Sequence, residues 1–169
     1  MSKTRSELTL ADLAAVEAVI ARKHAPGEPF RMVEDLMQRV LGHRLFTVMR
    51  NREKTAEVER IHSSNQGAYP VGGRKQKRGT RWGEKVLDRG EVFIATNRDE
   101  LREAFPDYEL IFSLGIGSIM NVPIAFGGRV LATMNVSGEA GQYREEDVPA
   151  AKAIGALLLP VLLADESSP

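Results

Sequence analysis

Cysteine is absent from the chain. That one omission removes disulfides, thiolate nucleophiles, thiol redox chemistry and thioether attachment of a cofactor together. A chain without disulfides suits a reducing compartment, and a cytoplasmic location is expected. Neither sign of charge is in excess: 23 Lys and Arg face 23 Asp and Glu, a formal net charge of +0. With no global field, neither nucleic acid nor an anionic membrane is expected as a partner. The same neutrality leaves copies of the chain free to associate. Long apolar runs are missing too. Asp12, Glu17 and Arg22 break the N-terminal stretch, which speaks against a leader segment, and nothing approaches the ~20 apolar residues of a membrane-spanning helix. Histidine is sparse: His24, His43 and His62 stand apart, none with a second ligand at helical or hairpin spacing, so no metal site is expected. No G-x-S-x-G elbow and no cofactor motif occurs either.

What is present is a chain of 169 residues, 43% hydrophobic and 27% charged, ordinary for one soluble domain with a single core. Its most informative stretch is Gly115 to Gly138, GIGSIMNVPIAFGGRVLATMNVSG. Two apolar runs, Ile119–Phe126 and Arg129–Ser137, flank Gly127-Gly128, and glycine reaches the positive φ angles that a tight hairpin turn needs. Asn121 and Asn135 interrupt these runs. A buried amide without partners costs roughly 1–3 kcal/mol, so both positions are candidates for ligand contact.

Read in order, the chain opens with Thr9 as an N-cap answered by Asp12, then an amphipathic helix to His24 that Ala25-Pro26-Gly27 stops. A second helix starts near Pro29 and ends at Gly42. Strands are expected at Leu45–Arg50, Ala56–Ser63 and Val92–Thr96, with a polar turn at Asn51–Thr55 between the first two. A glycine- and base-rich connection, SNQGAYPVGGRKQKRG, leads to a short helix Arg81–Arg89 behind Thr80. Further helical turns are expected through Leu101 and Phe105 and over Tyr108–Leu114. A C-terminal helix starts about Asp147 and should bend or end early at Pro160. Locally joined strands pair antiparallel, and helices bunched at both ends must cover one face of their sheet. The expected fold class is therefore α+β, a central antiparallel sheet with helices on one face. The irregular insert, residues 64–117, lies over the other and roofs a cavity.

The hairpin SIMNVPIAFGGRVLATMNV, placed after a strand and a long irregular insert, resembles the hallmark of GAF domains, and YREEDVPAAKAIGALL resembles their closing helix. The likeness spans roughly residues 30–163, and RIHSSNQGAYPVGGRK resembles stand-alone, single-domain members. The expected division is an N-terminal helix over 1–27 offered as a dimer contact, a GAF-like domain over 28–164 and a disordered tail over 165–169. The likeness implies a small-molecule pocket on one sheet face and helices on the other that commonly mediate homodimers. A fold of this kind hosts many functions. Ile116 stands where related stand-alone members often carry cysteine, so the cysteine-dependent methionine sulfoxide reductase reaction is not expected by that mechanism. Residues Asn97, Arg98, Phe105 and Asp107 echo the cyclic-nucleotide signature of the family with the wrong spacing, and cyclic-nucleotide binding is not expected.

The site residues follow from both readings. Arg60 is either an anion anchor or part of a solvated edge, and His62, expected to alternate with it on one strand, is either a surface histidine or an acid–base group. Lys75 is the basic residue of the Gly72–Gly79 run expected to turn inward. Trp82 is either core or pocket wall, and Phe112 is a second apolar wall. Ser118 begins the central strand behind a glycine nest. The resemblance places Tyr69 and Asp107 over the pocket. Arg60, Tyr69, Lys75, Trp82, Asp107, Phe112, Ser118, Asn121 and Asn135 are thus the expected ligand contacts. The primary expectation is a sensory domain binding a small polar or anionic metabolite. Its signal would pass through a homodimer or a separate protein partner. The alternative is a small cofactor-independent enzyme (hydrolase, isomerase or lyase) on a small carboxylated compound, with Tyr69, His62 or Asp107 as acid–base.

Overall fold

Gly127 and Gly128 take φ of 59° and 80° and close the central hairpin in the computed structural model, which describes residues 5–76 and 79–166. The hairpin strands, β5 (Ser118–Phe126) and β6 (Arg129–Gly138), pair with Asn121 opposite Asn135. Strands β1 (Leu45–Arg52), β2 (Glu57–Ser63), β3 (Arg74–Gln76) and β4 (Phe93–Ala95) complete an antiparallel sheet of order β3-β2-β1-β6-β5-β4.

Alternation along these strands sorts side chains into two layers. Phe46 and Val48 of β1, Met120, Val122 and Ile124 of β5, and Met134 and Val136 of β6 form one buried face. Helices α1 (Leu10–Ala21), α2 (Glu28–Val40), α5 (Val148–Ala156) and α6 (Leu159–Glu166) cover it. Helix α2 supplies Phe30, Val33, Leu36, Met37 and Val40, the stripe that its sequence spacing demands. Helix α1 starts at a full capping box between Thr9 and Asp12, whose carboxyl is held down at about 2 by hydrogen bonds from Arg39 and Thr9. Only Val16 of α1 is buried; Leu10, Ala11, Ala14, Ala15 and Ala18 face outward.

The bend expected at Pro160 is present, at 44° between the segments on either side of residues 157–158. Leu158 and Leu162 are fully buried there, and buried Arg50 donates to the Leu162 carbonyl at 3.3 Å and pairs with Asp165 at 2.8 Å. A cation beside the last turns of α6 complements the dipole of that helix end. No single helix among the described residues is long and apolar enough to cross a membrane.

Four local expectations are corrected. Helix α6 runs through Asp165 and Glu166, two residues into the expected tail, whose remainder lies outside the described residues. Strand β1 extends to Arg52, and the polar turn behind it is a single 3₁₀ turn, Glu53–Thr55. The helix after Thr80 widens into a π-helix at Gly83–Asp88, although Thr80 Oγ1 still accepts from Gly83 N at 3.2 Å. Edge strand β3 inside the basic connection was not expected, and Lys77 and Arg78 of that connection lie outside the described residues.

Gly117 closes the open end of the hairpin, its N–H donating to the Gly138 carbonyl at 2.8 Å. A Cβ there would stand 2.8 Å from the Ala140 nitrogen and 2.9 Å from its Cβ. Backbone cannot yield as a flexible side chain does, so Gly117→Ala is expected to cost about 1–3 kcal/mol. Thermal unfolding beside the wild type checks this, and an unchanged melting temperature would refute it.

Candidate functional site

The second sheet face is built differently from the first. Leu45, Thr47 and Met49 of β1, Ile119 and Asn121 of β5, and Thr133, Asn135 and Ser137 of β6 all point to it. The insert covers this face with Tyr69, Trp82, Phe105, Ile111 and Ile116. It includes the short helices α3 (Arg98–Ala104) and α4 (Tyr108–Ser113). Roof and floor do not meet everywhere. A cavity of about 60 Å³ remains, room for a compact molecule but not for a nucleotide or a tetrapyrrole.

Its floor carries a row of polar side chains across three strands. Asn121 Nδ2 donates to Asn135 Oδ1 at 2.7 Å, and Asn135 Nδ2 donates to Thr47 Oγ1 at 3.2 Å. The row ends with Asn121 Oδ1, buried and without a partner among the described residues. Thr133 Oγ1, on the neighbouring row, is buried and equally unpartnered.

The roof carries the charges. Tyr69 donates its hydroxyl to Asp107 Oδ2 at 2.8 Å, and Lys75 Nζ donates to the same oxygen at 3.0 Å. Asp107 Oδ1 is left buried and unpartnered. Burial opposes the ionised carboxyl, but Lys75 and the Tyr69 hydroxyl outweigh it and hold Asp107 below the usual carboxylate range. Burial, aided by the neighbouring carboxylate, pushes the Tyr69 hydroxyl well above its ordinary value.

Arg60 is the other charge. It is 5% exposed, with its guanidinium carbon 4.9 Å from the centre of the Tyr69 ring and Nη1 donating to the Pro70 carbonyl at 3.0 Å. Burial draws its pKa below the arginine norm, against the pull of Tyr69 and Asp107. It stays protonated at neutral pH. Its Nε has no partner, and no carboxylate among the described residues forms an ion pair with it. A buried guanidinium without a counter-ion is costly, and an anion from outside would relieve it. Gly73 makes room for it: a Cβ there would lie 2.5 Å from Arg60 Nη1.

The structure thus brings Arg60, Tyr69, Lys75, Trp82, Asp107, Asn121 and Asn135 onto one cavity. Three expected residues stand elsewhere. β2 carries a bulge: Val48 pairs with His62 but Met49 pairs with Arg60, leaving Ile61 as an extra residue. His62 is thereby turned to the helical face, where Nε2 meets Glu34 at 2.6 Å and the ring stacks on Phe30 at 5.7 Å. It is not beside Arg60. Phe112 packs on Tyr108 with Arg98 and Arg102 over its ring, outside the cavity. Ser118 is one residue out of phase with Asn121 and faces the helical layer, accepting from Tyr143 N at 3.4 Å.

Thr47, Thr133 and Ser137 were not anticipated. Their signal was in reach, because with Asn135 placed inward the period of two puts Thr133 and Ser137 on the same face. No group of His, Asp and Glu among the described residues is arranged to hold a metal ion.

A family model described as "GAF domain" matches residues 30–161. Among solved structures, the GAF domain of an Acinetobacter phosphoenolpyruvate-protein phosphotransferase is 18% identical, with TM-score 0.73 over 95% of each chain. Its counterpart from Coxiella burnetii is 14% identical, with TM-score 0.72 over 94% of each chain. Free methionine-R-sulfoxide reductase from Neisseria meningitidis, in complex with its substrate, is 16% identical, with TM-score 0.71 over 98% of this chain and 97% of that one. No curated protein matches the chain.

Proposed function

The chain belongs to the GAF domain family, a family of small-molecule-binding modules, and on that premise we propose that it is a sensory domain for a small anionic metabolite. The ligand lies in the cavity between the sheet and the insert, its anionic group on Arg60. One observation supports this reading: a buried guanidinium without a counter-ion among the described residues lines a hollow whose walls include Asp107, Asn121 and Thr133, each holding a buried polar atom without a partner among the described residues. A core evolved only for stability fills such a space with apolar side chains or satisfies its polar atoms.

An enzymatic reading has one structural neighbour behind it, the Neisseria reductase. The pair available here for proton transfer, Tyr69 and Asp107, is poorly poised for it. The tyrosine is pushed up and the carboxyl pushed down, away from the neutral values that acid–base catalysis favours. Binding without turnover fits the site better.

Native mass spectrometry of the purified chain, followed by a thermal-shift panel of small carboxylates and phosphates, tests the proposal. A true ligand at a hundred times its Kd should add about 2.7 kcal/mol. For a chain of this size that raises the melting temperature by roughly 5–10 °C. A chain that carries nothing and is stabilised by no anion would sink it.

A further inference from the structure

We propose that the Lys75–Asp107 ion pair is the gate of the cavity, opened when the Lys75 side chain swings away from the carboxylate. This rests on the reading of the cavity as a binding site and adds the way in.

Of the described residues that line the hollow, all are buried except Lys75 and Asp107. These two keep 33% and 26% of their side-chain surface, and they hold each other at 3.0 Å. Among the described residues, the wall therefore comes within reach of solvent where this one pair stands. The chain on either side of it is at the surface as well: Arg74, Gln76 and Pro106 are exposed. A pair in that position does more than join two elements. It fills the one stretch of wall that water already touches.

β3 is a three-residue edge strand paired with β2, and Asp107 directly precedes α4 in the insert. Asp107 Oδ2 accepts across this seam from the Tyr69 hydroxyl and from Lys75. The two donors differ in depth, since Tyr69 is buried and Lys75 is not. That difference decides which one lets go. A charged pair with this much surface is screened by water and salt, and holding a long flexible stem in one rotamer costs entropy. The buried phenol has no water to turn to if it leaves the carboxylate. The moving part is thus one side chain, with Tyr69 and Asp107 left as the frame of the opening. Lys75 Nζ stands 5.7 Å from the centre of the Tyr69 ring, and the Arg60 guanidinium carbon stands 4.9 Å from the same point. A guest that passes the rim along this ring meets Arg60 next.

Trp82 is the only tryptophan of the chain and lines the same hollow, so its fluorescence reports entry without any ligand. Acrylamide, a neutral and compact quencher, is the probe. Lys75→Ala removes the closing side chain and should raise the quenching rate constant about fivefold, the most that an exposed pair of this kind is worth. Lys75→Glu sets two carboxylates against each other and should raise it as well. Lys75→Arg keeps the pair and should match the wild type. Lys152→Met, a change of an exposed lysine on α5 across the sheet, should alter nothing. Raising NaCl from about 20 mM to about 500 mM should increase quenching of the wild type about twofold and leave Lys75→Ala where it was. If a Lys75 variant unfolds, the wild-type salt series decides alone. Equal quenching in the wild type and Lys75→Ala, or an equal rise in Lys152→Met, would overturn the gate. So would a wild type indifferent to salt, because Lys75 would then close the hollow by bulk and not by charge. Neither result touches the anion reading, which fails instead on the thermal-shift panel and the native mass spectrum.

Discussion

An Arg60→Met protein should melt within a few degrees of the wild type yet bind the wild type's stabilising ligand about a hundredfold more weakly. The two halves of that result have different causes. For stability, the substitution removes the Nη1 bond to Pro70 and the cation over Tyr69, which favours the wild type. It also removes a buried charge that has no counter-ion, which favours the variant. Methionine refills most of the volume with a flexible apolar chain, so the balance should stay within about 1–2 kcal/mol. For binding there is no such compensation. Losing a desolvated, charge-assisted contact typically costs 2–5 kcal/mol, and a hundredfold corresponds to about 2.8 kcal/mol. Arg60→Lys should recover little of it, because an ammonium cannot reproduce the fork or the stacking. Titration calorimetry reads the affinities, and undiminished binding by the methionine variant would show that Arg60 is only structural.

Asp107→Ala is expected to cost the fold about 2–3 kcal/mol. Three things go at once: the acceptor of the buried Tyr69 hydroxyl, the partner of Lys75, and the tie between the 69–75 stretch and helix α4. An orphaned buried hydroxyl alone costs about 1–3 kcal/mol. The ion pair adds less than a fully buried one would, since Lys75 and Asp107 keep 33% and 26% of their side-chain surface. The same contacts set a pH dependence. A carboxyl whose folded-state pKa is depressed contributes stability that is complete above its unfolded value, about 3.9, and is lost as pH falls through its lower folded value. Unfolding curves between pH 2 and 5 should therefore be steeper for the wild type than for Asp107→Ala. Equal acid slopes would mean that Asp107 is not held ionised by its neighbours.

The fold was legible where local chemistry is unambiguous. A Gly-Gly pair between two alternating runs admits little but a hairpin, and Thr9 with Asp12 marks a helix start on its own. The antiparallel α+β arrangement followed from the order of elements. Legibility ended where a single residue changes phase. Nothing in the composition of β2 announces an extra residue at Ile61, so Arg60 and His62 read as companions on one face when they stand on opposite ones. Ser118 fell to the same difficulty: the inward set of β5 is odd-numbered, and only Asn121 revealed the parity. Thr133 was legible from the parity of Asn135 but drew no notice, because threonine in a strand is unremarkable by propensity. Edge strand β3 is three residues long and basic, too short for any periodicity to show. Phe112 was misplaced because a six-residue helix offers no second turn from which to tell its buried side.

The bulge at Ile61 has a further effect on the chemistry of the hollow. By turning the imidazole of His62 out to Glu34, it leaves the cavity lining with no histidine at all. Histidine is the side chain whose unperturbed titration falls in the neutral range. The charged side chains on its wall are therefore Arg60, Lys75 and Asp107, and none of them is an imidazole. If a guest sits there, no imidazole of the cavity wall stands beside it to tie its binding to the neutral range of acidity.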